Sequence, residues 1–146
     1  MWRSMQFTIP LRPISVNSMY YGNKKYGKTA DARDWTCQIN FEIHKHAAEF
    51  AKLRESFNPR VHGLSVDFIF YFKDFYNKQG LISSKVYDLT NCEKPLLDLI
   101  VLKQNHGVPP YKCQNLAIDD KNVVALTSKK LPGPIDSISV TLSLVD

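Results

Sequence analysis

Between Val86 and Asp98 the sequence sets a carboxylate at Asp88, a hydroxyl at Thr90, an amide at Asn91, a lysine at Lys94 and a second carboxylate at Asp98. Further along comes an adjacent acidic pair, Asp119 and Asp120, held between apolar residues. Hydrolysis of a phosphodiester needs an activated water and stabilised charge on the phosphate oxygens. Proteins commonly meet both needs with magnesium held by carboxylates. Such ligands must converge, so they often come from segments distant in sequence. On this reasoning Asp88, Asp119 and Asp120 are candidate ligands, and Lys94 is a candidate to steady a phosphate or the attacking water. Spacing alone favours plainer roles. Asp-Asp before Lys-Asn makes a good turn, and Lys94 with Asp98 makes a surface pair of little energetic consequence.

The chain has 146 residues, which suits one domain over 1–146 with one core. Apolar residues make up 44% and charged residues 23%, ordinary for a globular fold. The net charge of +5 favours an anionic partner such as nucleic acid. No apolar run approaches a membrane-spanning length. The opening residues lead into a short run and Pro10, without the long apolar segment of a signal peptide. Cys37, Cys92 and Cys113 are odd in number and lack CxxC spacing, which argues against a zinc knuckle and a disulfide framework. They read as reduced thiols in a cytoplasmic protein, small core or surface residues.

The elements that must position the acidic residues follow from periodicity. Gln6 to Leu11 reads as a first strand ending near Pro10. A loop from Arg12 to Lys28 carries four lysine or arginine residues and three tyrosines. Lysines can meet phosphates and tyrosines can stack on bases. A solvated loop with tyrosines folded onto the core is at least as good a reading of it. From Asp31 to about Arg54 one helix is expected, with Trp35, Ile39, Ile43, Ala47, Phe50 and Leu53 on its buried face. His44 and His46, two apart, point in different directions from such a helix and read as surface residues. Leu64 to Phe72 is the strongest strand, with Leu64, Val66, Phe68, Phe70 and Phe72 on one face. Lys73 to Lys85 is a polar loop. Thr90 to Lys103 is helical, with Leu89, Cys92, Leu96, Leu99 and Ile100 forming an apolar face. Thr90, Lys94 and Asp98 align on another. Pro95 suggests that this helix starts late or is slightly kinked. Gln104 to Gln114 reads as an irregular loop, Val123 to Ser128 as a strand, Pro132 to Pro134 as a turn, and Ile138 to Val145 as a last strand. The expected class is α+β: a single-domain mixed β-sheet with helices packed on it.

These segments, in this order, resemble the RusA family of Holliday-junction resolvases, the crossover-junction endodeoxyribonucleases. Ile9 to Tyr20 looks like that family's opening strand and its loop of proline and asparagine. Asp88 to Lys94, with Asp98 four residues on, looks like its signature Asp-x-Asp-Asn-x-x-Lys followed by Asp. Ile118 to Val123 looks like its downstream double-aspartate motif. The resemblance implies a RusA-like fold, a homodimer, and Mg²⁺- or Mn²⁺-dependent nicking of paired strands in a four-way DNA junction during recombination and repair. It implies that Asp88 and Asp120 are metal ligands and catalytic residues, that Lys94 is a catalytic-site lysine, and that Asp119 lies beside them. Asn91 would order the site rather than perform chemistry. Asn17, Tyr20, Lys24, Lys25 and Lys28 of the first loop would contact DNA. Many members of the family are phage- or prophage-encoded, which implies the bacterial host cytoplasm. A dimer suits the near two-fold symmetry of a junction, because two matched cuts require two equivalent sites.

The departure from the family is Thr90, where the signature has its second aspartate. Three explanations compete. Thr90 binds metal directly or through water; Thr90 to Glu93 is a capping box; or the site is weakened, leaving a non-catalytic junction-binding protein. An active enzyme with an altered ligand set is the preferred expectation. The stretch from Gln104 to Asn115 looks extended relative to the family. Lys103 and Lys112 are expected to help it hold DNA, so replacing both with Ala should weaken junction binding and lower its salt dependence. A restriction-type nuclease would usually need Glu-x-Lys on a strand, whereas Glu93 and Lys94 are adjacent in a helical pattern.

Overall fold

Alternation of apolar and polar residues builds a sheet with one covered face. The computed structural model describes residues 2–15, 30–103 and 114–146. Strands β1 (Ser4–Ile9), β2 (Gly63–Phe72), β3 (Val123–Pro132) and β4 (Ser137–Val145) form one sheet in the order β1-β4-β2-β3. β4 runs antiparallel to both β1 and β2, while β3 runs parallel to β2 at the edge. The fold is α+β: a four-stranded mixed sheet with three helices in a single domain. No helix among the described residues is long and apolar enough to cross a membrane.

Register converts the alternation of each strand into rows across the covered face. Met5, Leu142 and Val66 lie in line, as do Phe7, Val140 and Phe68. All six are buried. A third row runs Ile9, Ile138, Phe70 and then, on β3, Lys130. Its apolar members are fully buried, and the row ends in a cation at the edge strand. The opposite face carries Ser65, Asp67, Ile69 and Tyr71 of β2 beside Ser139, Thr141 and Ser143 of β4. β1 ends where expected, because Pro10 has no N–H to extend a ladder.

The helix expected from Asp31 to Arg54 is two helices, α1 (Ala30–Lys45) and α2 (Ala47–Ser56), separated by His46. His46 leaves the helical region, with φ −109° and ψ 20°. Its N–H donates to the Ile43 carbonyl at 3.0 Å, a tighter turn than the α-helical bond. Its ring packs 4.9 Å from that of Phe7, so His46 is half-buried rather than a surface residue. Trp35, Ile39 and Ile43 on α1 and Phe50 and Leu53 on α2 are buried, whereas Ala47 is only half-buried. Both helices therefore serve one core. His44 is exposed, its Nδ1 2.8 Å from Gln114 Oε1. Within the polar loop after β2, Tyr76 and Ile82 form an isolated bridge and Phe75 is buried.

The helix that carries the signature, α3 (Leu89–Ile100), starts one residue before the expected position rather than late. Pro95 lies inside it. With no N–H at Pro95, the carbonyl of Asn91 loses its α-helical donor. Burial compensates: Cys92, Pro95, Leu96, Leu99 and Ile100 are all buried against the core. Fully burying side chains of this kind contributes roughly 1.5–3 kcal/mol each, enough to hold a helix with a proline in its second turn. Cys37 is half-buried and Cys92 buried, with no disulfide among the described residues, and Cys113 lies outside them.

Candidate functional site

Asp88 is the N-cap of α3, with extended backbone at φ −64° and ψ 142°. Its main-chain oxygen accepts from the N–H groups of Asn91 and Cys92, at 3.1 and 3.2 Å. Its carboxylate is exposed and makes no capping hydrogen bond. Thr90 lies one residue inside the helix and is exposed. Because Asp88 is the cap, Thr90 does not begin the helix, and the capping box with Glu93 is not formed.

Two cations stand beneath this end of α3. Arg12 is fixed from both sides: its carbonyl accepts from Trp35 Nε1 at 2.9 Å, and its guanidinium donates to the Lys85 carbonyl at 2.5 Å and to Asp136 at 3.4 Å. The guanidinium lies 5.1 Å from the centre of the Phe72 ring and 5.0 Å from that of Tyr87. Burial opposes its charge, but Tyr87 and Asp136 more than offset this, so Arg12 binds its proton more tightly than usual. Lys130, at the end of the third row, donates from Nζ to the Tyr87 carbonyl at 3.2 Å. Buried Cys92 senses the whole group. Burial pushes its thiol up to about 11, Asp88 and Glu93 push the same way, and Lys130 and Arg12 oppose them.

The double aspartate lies at the other end of α3. There the chain is latched: Lys103 N–H donates to the Ile118 carbonyl and Ile118 N–H to the Val101 carbonyl, both at 2.9 Å. Buried Asn115 holds the helix terminus, donating from Nδ2 to the carbonyls of Leu99 and Leu102 at 3.0 and 2.9 Å. These are carbonyls that a helix end leaves without donors. Buried Asn122 secures the far side, donating to the carbonyls of Pro59 and His62 at 3.0 and 3.3 Å. Between the two clasps, Asp119 caps a short 3-10 turn over Asp120–Asn122 by accepting from Lys121 N–H at 3.1 Å. Asp120 is exposed.

Within one chain, then, the two acidic segments are held at opposite ends of a twelve-residue helix, a length of about 18 Å. Lys94 and Asp98 lie between, with Lys94 Nζ 3.7 Å from Asp98 Oδ2. Among the described residues no group of three or more His, Cys, Asp or Glu side chains is placed to hold a metal ion. The convergence expected of Asp88 with Asp119 and Asp120 is therefore not formed by a single chain, and its residues do not by themselves fit magnesium. The physical reason is the β2–α3–β3 crossover. Parallel strands require the chain to return along the sheet, so the head of α3 and the start of β3 fall at opposite ends.

Lys103 is exposed at the double-aspartate end. Asn17, Tyr20, Lys24, Lys25, Lys28 and Lys112 lie outside the described residues. Sequence reasoning missed Lys130, Asn115 and Asn122, and counted Arg12 only among loop cations. Lys130 had a signal: it shares the period-two face of Leu126 and Ser128 and puts a charge where an apolar residue belongs. The asparagines had none, since their partners are main-chain carbonyls. No family model matches the chain, and a search of curated proteins found no match.

Proposed function

We propose that this chain is a metal-dependent, structure-selective DNA endonuclease of the RusA kind, resolving four-way junctions by paired phosphodiester hydrolysis. The observation that carries the reading is the Asp88 carboxylate, exposed at a helix N-cap and used in no capping bond. An aspartate at that position ordinarily serves the helix by capping it; here it is left for a ligand. Exposed Asp120 is similarly placed on a rigid mount. Arg12, Lys130 and the net charge of +5 suit a polyanionic substrate. In this reading Asp88 and Asp120 are carboxylates of a Mg²⁺ or Mn²⁺ site that a single chain leaves divided between the two ends of α3, with Thr90 near the first and Asp119 next to the second. Lys94 positions phosphate, and the loop lysines with Lys103 contact DNA.

A second reading is a junction-binding recombination protein without catalysis. Neutral Thr90 and the separation of the acidic segments along α3 favour it. Cleavage of a synthetic four-way junction and a matched duplex, with and without Mg²⁺, separates the two. The endonuclease nicks the junction symmetrically, and Asp88→Asn and Asp120→Asn each abolish nicking while retaining binding. Binding without metal-dependent cutting by the unaltered chain selects the second reading. A Thr90→Asp variant then tests whether a carboxylate at that position restores activity.

A further inference from the structure

The loop between β2 and α3 displays an apolar patch that the fold does not use. Tyr76, Leu81 and Ile82 are 55%, 65% and 61% exposed. Tyr76 and Ile82 form a bridge, and Leu81 adjoins Ile82, so the three lie together. A cluster of exposed apolar side chains, unlike scattered ones, marks a contact surface. The patch is held in one shape. Asn77 N–H donates to the Leu81 carbonyl at 2.7 Å, and Asn77 Oδ1 accepts from the N–H groups of Gln79 and Leu81 at 2.9 and 3.0 Å. Gly80, with φ +78°, supplies the left-handed backbone of the turn. Below it, Ser83 N–H donates to the Phe75 carbonyl at 2.8 Å. Phe75 is buried in the core, and its ring meets that of Tyr76 edge-on at 4.9 Å. The two roots of the loop are tied together. Asp136 accepts from Lys73 N–H at 3.0 Å and from Arg12, and Arg12 donates to the Lys85 carbonyl. A surface ordered beforehand loses little entropy on binding.

The chemistry of the loop selects the occupant. Lys73, Lys78 and Lys85 are exposed, and half-buried Asp74 is the only acid among these thirteen residues. Apolar side chains flanked by cations match a base stack flanked by phosphates. Ile82 is six residues before Asp88, which limits the separation of their Cα atoms to roughly 20 Å. A turn, closed by Val86 N–H donating to the Ser83 carbonyl, shortens it further. DNA that meets Asp88 is therefore within reach of the patch.

We propose that Tyr76, Leu81 and Ile82 form a wedge that enters the base stack at the branch point of a four-way junction, with Lys73, Lys78 and Lys85 on the flanking phosphates. Apolar side chains that enter a duplex must unstack and kink a base step, at a cost in free energy. Where strands change partners the stack is already interrupted, so the wedge favours a junction over a duplex. Phosphate contacts alone position DNA without making that distinction. The inference rests on the junction-DNA reading and holds whether or not the chain cuts.

A junction carrying a fluorescent adenine analogue beside its branch point, one that brightens when unstacked, tests the wedge in EDTA, where cutting is prevented. The unaltered protein is expected to brighten the probe and to bind junction more tightly than duplex. Leu81→Ser combined with Ile82→Ser removes the tip and keeps the lysines and the Phe75 anchor. It is expected to abolish the brightening and to lower the preference for junction over duplex about tenfold, with duplex affinity and the circular-dichroism spectrum unchanged. Tyr76→Ser should act in the same direction, and Tyr76→Phe should behave as the unaltered protein does. A junction bound by the unaltered protein without brightening, or tip variants that keep both brightening and preference, overturns the wedge and leaves the junction reading standing. An unaltered protein that binds no junction overturns both. Tip-dependent capture by phosphatidylserine vesicles, with junction binding unmoved by the same substitutions, assigns the patch to a membrane surface and overturns the wedge.

Discussion

The ammonium group of Lys130, on the edge strand, lies 3.2 Å from the main-chain oxygen of Tyr87, the residue before Asp88. This bond ties the head of α3 to the sheet and fixes a cation beside an exposed carboxylate. Lys130→Met keeps most of the apolar stem and removes the bond and the charge. It is expected to cost about 1 kcal/mol in denaturant unfolding. It should also weaken junction binding at low salt and flatten the salt dependence. An unchanged salt slope would remove Lys130 from the proposed DNA contacts.

Asp88 and Asp119 are both caps by position, but only Asp119 uses its side chain. Asp88→Asn is therefore expected to leave unfolding free energy within about 0.5 kcal/mol of the unaltered protein. Asp119→Ala should cost about 1 kcal/mol. Urea melts of the two variants check the contrast. A large loss for Asp88→Asn would mean that its carboxylate serves the fold and would weaken its assignment to the site.

Asn115 ties the end of α3 to the segment before the double aspartate through two main-chain carbonyls, and its Oδ1 accepts from Ala117 N–H. Asn115→Ala leaves buried groups without partners and is expected to cost about 2 kcal/mol. Hydrogen exchange should speed up at Lys103 and Ile118, whose amides form the adjoining latch. Exchange confined to distant strands would contradict this account.

Cys92 carries a pH prediction. Burial raises its thiol to about 11 from the ordinary value of 9.0. The folded state thus keeps a proton that the unfolded state releases. Stability from this group is fully present below pH 9 and falls between pH 9 and 11 as the unfolded thiol ionises. The loss is on the order of 2–3 kcal/mol. Cys92→Ala should flatten that limb of the stability curve. Alkylation of Cys92 in the native protein should stay slow at neutral pH, since the thiolate is the reactive form.

Periodicity exposed most of the fold because one face of the sheet is buried. Leu64 to Asp67 alternates apolar with polar before the aromatic run Phe68 to Phe72, burial then alternates along the whole strand, and register follows from burying one side. The face of Cys92, Leu96, Leu99 and Ile100 was equally plain. The break at His46 was not, because no glycine or proline marks it; it follows from packing against Phe7. The candidate site was legible as residue types and not as an arrangement. Sequence places Asp88 and Asp119 on the same list of carboxylates, but their relation depends on which way α3 runs along the sheet. That direction is decided by the parallel pairing of β2 with β3, a long-range choice that no local spacing encodes.

The position of β4 bears on how the chain acquires its structure. β4 comes last among the strands yet lies between β1 and β2. Until Ser137–Val145 has been synthesised, β1 has no neighbour, and one flank of the aromatic β2 strand is bare. Entry of β1 into the sheet must await synthesis of β4, and the Met5–Leu142 pairing closes a very long loop. Such non-local contacts slow folding and lengthen the exposure of apolar strands. A nascent chain of this kind is expected to lean on chaperones, and removal of β4 should prevent folding rather than merely weaken the folded state.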